Sequence, residues 1–269
     1  MNQPLLYVQH LSKTFTRRGH SVQAVQDVSF NIHAGETYAL VGESGSGKST
    51  TGRTILGLTP ASGGRVDFNG QSLLDLSAAG WRSVRKDIQM IFQDPLSTLD
   101  PKRTIGYSIE EPLIIHGERD AQRRKKAVAA MLEQVGLQAQ DAGRYPQGFS
   151  GGQRQRIGIA RALILRPKLI ICDEPVSALD VSIQSQVLNL LMDLQRDYGL
   201  AYLFISHDLN VVRHVADRVG VMYRGQLVEE ASSAQLFAHP QHEYTRWLLA
   251  AILPAHPAEK NRLPATVNA

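Results

Sequence analysis

The chain has 269 residues, 43% hydrophobic and 20% charged, with 29 basic against 25 acidic side chains for a net charge of +4. That balance excludes collagen-like, disordered and disulfide-scaffold classes, and the length admits one large domain or two modest ones with a sizeable core. The single cysteine, Cys172, allows no internal disulfide or four-cysteine metal site and fits a reducing compartment. Residues 1–10 lack the basic flank and apolar stretch of a signal peptide. No run reaches the roughly 20 apolar residues of a membrane-spanning helix.

In chain order, residues 7–10 and 22–32 carry alternating and β-branched residues that predict short strands, with a turn at Gly35. Residues 37–41 form an apolar strand meeting a glycine-rich loop at Gly42, and a helix over 49–58 follows until Pro60 and Gly64 break it. Further strands are expected at 66–68 and 88–92. Between Pro95 and Arg161 the texture turns helical, punctuated by Pro112 and Pro146, and residues 121–135 form its clearest helix. Residues 169–172 read as a buried strand. Beyond it, Ile183, Val187, Leu190, Leu191 and Leu194 share one helical face. Residues 201–205 read as another buried strand, and 219–222 and 226–228 flank Arg224-Gly225 as a hairpin. From about Ser232 a tail carries Pro240, Pro254, Pro257 and Pro264. Strands alternating with helices indicate an α/β fold with a largely parallel sheet, into which the helical middle is inserted.

The segment Gly42-Glu43-Ser44-Gly45-Ser46-Gly47-Lys48-Ser49-Thr50 fits G-x-x-x-x-G-K-[ST] between a strand and a helix. Glycines let the backbone curl until several N–H groups face one anion, and the helix adds its positive end. Lys48 supplies a full charge to the β- and γ-phosphates, and Ser49 a hydroxyl to Mg²⁺. Asp173 and Glu174 close the strand at 169–172, at the edge where open α/β sheets bind ligands. Asp173 would orient Mg²⁺ through a water, and Glu174 would polarise an attacking water. Both motifs imply hydrolysis of ATP or GTP with Mg²⁺.

Between them, Ser150 and two glycines open a helix expected over 153–165, a second anion-binding helix start. The run Phe149-Ser150-Gly151-Gly152-Gln153-Arg154-Gln155-Arg156 resembles the signature segment of ATP-binding cassette (ABC) ATPases. The resemblance implies a P-loop NTPase core with ATP and Mg²⁺ as its cofactors. It also implies a head-to-tail dimer in which Ser150, Gly151, Gly152 and Gln153 cover ATP held by another subunit's phosphate loop. On the same resemblance Gln93, in Ile91-Phe92-Gln93-Asp94-Pro95, reaches Mg²⁺ alongside Ser49 and Asp173. Ser177-Ala178-Leu179-Asp180 lies at the dimer seam, His207 contacts the γ-phosphate, and Phe15 stacks on adenine. Glu174, His207 and Lys48 are then the catalytic set. The likeness covers residues 5–231. It implies a core of 1–92 and 161–231 with an N-terminal antiparallel β subdomain, a helical subdomain at 93–160, and a C-terminal extension at 232–269.

A narrower likeness is to the ATPase subunits of bacterial oligopeptide, dipeptide and nickel importers. It rests on residues 42–50, on Gln93-Asp94-Pro95-Leu96-Ser97-Thr98-Leu99-Asp100-Pro101, on 173–188, and on His239-Pro240-Gln241-His242-Glu243-Tyr244-Thr245. Glu243 departs from the usual tail proline, and Phe149 from the usual signature leucine. The likeness implies a second ABC ATPase subunit, two transmembrane permease subunits and an extracytoplasmic solute-binding protein as partners. The chain would sit peripherally on the cytoplasmic face of the bacterial inner membrane, serving di- or oligopeptides, nickel or another small solute, with no nucleic acid. An iron–sulfur cluster, carried in this tail by some relatives, has no cysteines here.

Rival readings fit less of the sequence. DNA-structural ABC ATPases carry long coiled-coil insertions, whereas Lys48 and Ser150 stand only 102 residues apart without heptads. Ribosome-associated members usually carry two cassettes, an exporter lacks this tail, and a kinase gives the signature no role. Cys172 reads as a small buried hydrophobe. The run Arg123-Arg124-Lys125-Lys126 reads as a solvated face. Trp247, Leu248 and Leu249 read equally as a docking face or as packing of the tail on the core.

Overall fold

The computed structural model describes residues 3–17, 20–94 and 96–251. Pro254, Pro257 and Pro264 of the tail, and Pro95, lie outside the described residues. The first long hairpin is β1 (Leu6–Arg17) with β2 (His20–Ile32). After β3 (Thr37–Val41) leaves for a second sheet, β4 (Gly63–Phe68) and β5 (Gln71–Ser72) return to complete an antiparallel sheet of order β2-β1-β4-β5. The short strand expected at 7–10 therefore runs on through Phe15. Its alternation fails at a β-bulge between Val8 and Leu11, where His10 takes a φ of 51°. Opposite, Asp27 takes a φ of 55°, and its carboxylate meets His10 Nδ1 at 2.5 Å.

The second sheet adds β6 (Ile88–Ile91), β7 (Leu169–Asp173), β8 (Ala201–Ser206), β9 (Arg218–Tyr223) and β10 (Gln226–Ser232), in the order β10-β9-β3-β8-β7-β6. Every pairing is parallel except β9 with β10. Strands β3, β7 and β8 are buried along their whole length, which is why they read as unbroken apolar runs. Alternate residues of β3 serve two cores. Tyr38 and Leu40 pack toward the antiparallel sheet with Leu6, Val66 and Ile205, while Ala39 and Val41 face the opposite core with Ile170 and Phe204.

Helix α1 (Lys48–Ile55) follows β3, and α2 (Ala78–Val84) precedes β6. The first helix stops three residues short of the sequence expectation, because Gly57 turns the chain at a φ of 65°. Between β6 and β7, α3 (Ile105–Ile115), α4 (Ala121–Gln134) and α5 (Gly151–Leu163) pack on one another. Helix α5 starts two residues earlier than expected, with both glycines inside its first turn. Helix α6 (Val181–Tyr198) buries Val187, Leu188, Leu191 and Leu194 and leaves Ile183 and Leu190 partly covered. Helix α7 (Leu209–Val215) follows β8; α8 (Ser233–Ala238) and α9 (Glu243–Ala250) end the described chain. Leu236, Tyr244, Leu248 and Leu249 join the same core as Ile170 and Phe204, so these tail helices pack on the sheet.

Candidate functional site

Parallel register sets the height of each site residue. Val41 pairs with Ser206, Asp173 with Ile205, and Ile91 with Cys172. The chain leaving β3 at Gly42, β8 at His207, β7 at Glu174 and β6 toward Gln93 therefore emerges along one carboxyl edge. A cleft of about 700 Å³ opens there. It is lined by Gly42, Ser44, Gly45, Gly47, Lys48, Ser49, Thr50, Gln93, Glu174 and His207, together with Ala24, Glu43, Trp247, Leu248 and Ala251.

Gly47 caps α1 at a φ of 103°, and a Cβ there would stand 2.3 Å from the Ala24 carbonyl oxygen, so only glycine fits. The loop residues Ser44, Gly45 and Gly47 line the cleft beside the positive end of α1. Lys48 is 4% exposed; its ammonium donates to the carbonyls of Gly42 at 2.7 Å and Glu43 at 2.8 Å, and to Ser46 Oγ at 3.3 Å. Burial pushes this amine below the ordinary lysine range, partly offset by the carboxylates of Glu174, Asp173 and Glu43.

Glu174 takes a φ of 50°, rare for a residue with a side chain, and its N–H is held by the Ile205 carbonyl at 3.0 Å. Its Oε2 accepts from Gln93 Nε2 at 3.2 Å and lies 3.2 Å from His207 Nδ1. Three sequence-predicted residues from three strands thus meet at one oxygen. Oε1 accepts no hydrogen bond among the described residues. Ser177 Oγ donates to the Glu174 carbonyl at 3.1 Å, tying the loop before α6 to this residue's backbone.

Asp173 lies beneath, 2% exposed, accepting from Ser49 Oγ at 2.5 Å and from Arg53 Nη2 at 3.3 Å. Hydroxyl and carboxylate oxygens of this kind suit Mg²⁺, which takes few protein ligands and fills its octahedron with phosphate and water. The Ser49 hydroxyl and the Asp173 carboxylate, 2.5 Å apart, are donors of that kind. Arg53 escaped the sequence reading, although its spacing of four from Ser49 places both on one face of α1.

Ser46 and Asp173 sit behind the cleft lining, 5% and 2% exposed, and two predicted groups stand away from it. Phe15 lies on β1, 46% exposed, with the Lys13 ammonium 4.8 Å from its ring centre. The signature segment opens α5 away from the cleft. Ser150 Oγ accepts from Gln153 N–H at 3.3 Å, and Gln153 Oε1 accepts from Ser150 N–H at 3.0 Å, a reciprocal capping box. Ser150 and Gln153 are exposed and Gly152 is buried. A Cβ on Gly152 would come within 2.4 Å of Ile183 Cγ2, so this glycine lets α5 approach α6. Phe149 is buried, and the Arg144 guanidinium stacks 4.2 Å from its ring centre, so the aromatic fits where the usual leucine is absent.

The tail enters the site, which sequence reasoning missed. The Glu43 N–H donates to Tyr244 Oη at 3.0 Å, across 201 residues of chain. Tyr244 packs against Tyr223 in a tilted ring pair at 4.2 Å, and Trp247 stacks on Tyr244 at 6.1 Å. Leu248 and Leu249 are buried in the core while Trp247 stays half-exposed on the cleft wall, so the tail packs and also lines the site.

Comparison with known proteins agrees with this geometry. A sequence profile described as "ABC transporter" matches residues 25–177. Glutathione import ATP-binding protein GsiA of Shigella flexneri serotype 5b is 54% identical over 265 residues, which cover 96% of this chain and 42% of that protein. The protein of the same name from Salmonella typhimurium is 54% identical over 263 residues, covering 95% and 42%. The chain thus spans about two fifths of the length of these relatives. Among solved structures, the dimeric ATP-binding cassette MJ0796 in a post-hydrolysis state with ADP and Pi is 31% identical at a TM-score of 0.77, covering 85% of this chain and 98% of that one. CbiO1 of Clostridium perfringens, part of the ABC transporter complex cbiONQ, is 27% identical at 0.78, covering 88% and 92%. No helix among the described residues is long and apolar enough to cross a membrane.

Proposed function

The chain belongs to the ABC transporter family, and from that premise we propose that it is the ATP-hydrolysing subunit of an importer for di- or oligopeptides. Its cassette is an ATPase of that family. The observation carrying the import reading is the 54% identity, along nearly the whole chain, to an ATP-binding protein of glutathione import, glutathione being a tripeptide. The partners would be a second ABC cassette, two permease subunits and an extracytoplasmic binding protein, with the chain peripheral on the cytoplasmic face of the inner membrane. Residues 1–231 form the cassette in this reading, with 93–160 as its helical subdomain and 232–269 as the extension.

The chemistry follows from the carboxyl edge. The phosphate-loop N–H groups and Lys48 hold the β- and γ-phosphates of ATP. Ser49, Asp173 and Gln93 would hold Mg²⁺, which when bound draws charge from those phosphate oxygens. Glu174, steered through Oε2 by Gln93 and His207, takes a proton at Oε1 from a water whose oxygen attacks the γ-phosphorus. The bond from that phosphorus to the β–γ bridging oxygen breaks, leaving ADP and phosphate. His207 reports the γ-phosphate, and Phe15 offers its exposed ring to adenine. Ser150, Gly151, Gly152 and Gln153 cap the ATP of a facing cassette. Loss of the shared γ-phosphate then removes the contacts that favour the closed pair, and the change passes through Gln93 to the permeases.

The test is an inventory of the assembly. The tagged chain, extracted in mild detergent from its native membranes, should co-purify with two permease-like proteins and a second cassette, identified by mass spectrometry. Transport by that assembly should then follow its binding protein's peptide cargo. Recovery only from the soluble fraction, with nucleic acid or ribosomes, would overturn the importer reading and leave the ATPase chemistry standing.

A further inference from the structure

Helix α9 reaches the phosphate loop at a junction. The Gly42–Glu43 peptide is engaged on both sides: its N–H, that of Glu43, donates to Tyr244 Oη at 3.0 Å, while its carbonyl, that of Gly42, accepts from the Lys48 ammonium at 2.7 Å; the next carbonyl, that of Glu43, accepts from Lys48 at 2.8 Å and from Ser46 N–H at 3.2 Å. One peptide unit therefore separates the tail from the lysine that meets the phosphates. Tyr244 is itself fixed. Its ring packs at a tilt on Tyr223 at the end of β9, and burial raises its phenol above the ordinary range, keeping the hydroxyl neutral. The turn before α9 is anchored by Glu229, whose carboxylate accepts from Gln241 N–H at 2.8 Å and His242 N–H at 2.9 Å. One turn on from Tyr244, Trp247 is 49% exposed and shares the cleft wall with Lys48, Glu174 and His207. Leu248 beside it lines the cleft too but is 8% exposed and belongs to the core, so the half-exposed indole is the side chain of this turn that reaches into the cleft's solvent.

We propose that α9 is part of the nucleotide site: Tyr244 is a positioning residue that sets the entry limb of the phosphate loop, and Trp247 is a wall residue facing the bound nucleotide. The Tyr244 hydroxyl occupies the Glu43 donor, so the limb enters the loop in one orientation and the later N–H groups are ready for the anion. Preorganising a loop in this way strengthens binding by removing the cost of ordering it. The inference rests on the chain binding ATP, as its family does, and not on the cargo carried.

Trp81 and Trp247 are the tryptophans of the chain, and Trp81 packs on α2 against Gly57, among the residues of the other core. Trp81→Phe in the full chain therefore leaves Trp247 as the sole emitter. MgATP should change its emission saturably. Tyr244→Phe, which keeps the ring and removes the hydroxyl, should raise the Kd and KM for MgATP roughly two- to tenfold, the range for one hydrogen bond, with kcat unchanged. Equilibrium dialysis with radiolabelled ATP measures binding independently. Dialysis showing bound MgATP, with Trp247 emission unmoved and Tyr244→Phe binding as tightly as its parent, would overturn the proposal and leave the ATP site intact. A Tyr244→Phe chain with a lower melting temperature and the parent's KM would also overturn it, reducing Tyr244 to packing. Dialysis showing no bound ATP would overturn the nucleotide site itself, and the tail's part in it.

Discussion

The phosphate loop and the signature segment are both glycine-bearing helix starts, yet the fold treats them differently. The loop is built into the sheet: Lys48 is 4% exposed and Asp173 2%, and three neighbouring strands bring Glu174, His207 and Gln93 to its side. The signature segment starts a helix of the insertion, presents Ser150 and Gln153 to solvent, and satisfies its own first-turn groups through a capping box. In the proposed reading, one chain carries the catalytic half and, elsewhere on its surface, a cap for another chain's nucleotide. The difference supports the proposed pairing of cassettes, and the solved cassette MJ0796 is itself dimeric.

That contrast can be broken most sharply at Glu174. Glu174→Gln should lower phosphate release roughly 10²–10⁴-fold while ATP binding persists, since general-base catalysis contributes about that much. Comparable turnover by parent and variant would remove Glu174 from the base role. On the signature side, Ser150→Ala should slow turnover about tenfold, as expected for losing one hydrogen bond to a charged group. Nucleotide affinity measured at dilution, where chains are apart, should hold. Reduced affinity there would mean that the signature serves its own chain's cleft.

The next prediction separates packing from chemistry within the signature. Gly152→Ala places a methyl against Ile183 and should cost about 1–3 kcal/mol in urea unfolding, as overpacking does. Ile183→Ala should relieve that loss in a double-mutant cycle. The smallest effect concerns the tail. Burial would raise the Glu229 carboxyl, but hydrogen bonds from the Gln241 and His242 N–H groups outweigh it and hold the group below the ordinary range. Its contribution is thus full above the unfolded value near ~4.3 and is lost as pH falls through the lower folded value. Glu229→Gln should lower the melting temperature slightly at pH 7, and the gap from the parent should close below about pH 4.

How much of this was legible follows the same division. The phosphate loop is contiguous, so nine consecutive residues announce it and its neighbouring strand and helix. The carboxylates after β7 are legible because a buried strand reads as an apolar run that ends abruptly in charge. Gln93 was found only through resemblance, because nothing local marks it before register sets it beside Glu174; His207 was found through resemblance and through its place just after the strand at 201–205, at the sheet edge of Asp173. Where the sequence misled, a local rule met a tertiary one. The bulge at His10 hid the continuation of β1, and the helix expected from 153 starts at Gly151, with Gly152 giving α5 its room beside Ile183. Tyr244 and Trp247 carry no signal toward the site, since their approach depends on how α9 packs across the end of β9.

The pairing claim has a direct measurement: sedimentation of purified Glu174→Gln chain with and without saturating MgATP. The expected result is a single-chain mass without nucleotide and a doubled mass with it, as two signature segments close over two phosphate loops. A single-chain mass at full ATP occupancy would contradict it, and the exposed start of α5 would then need another purpose.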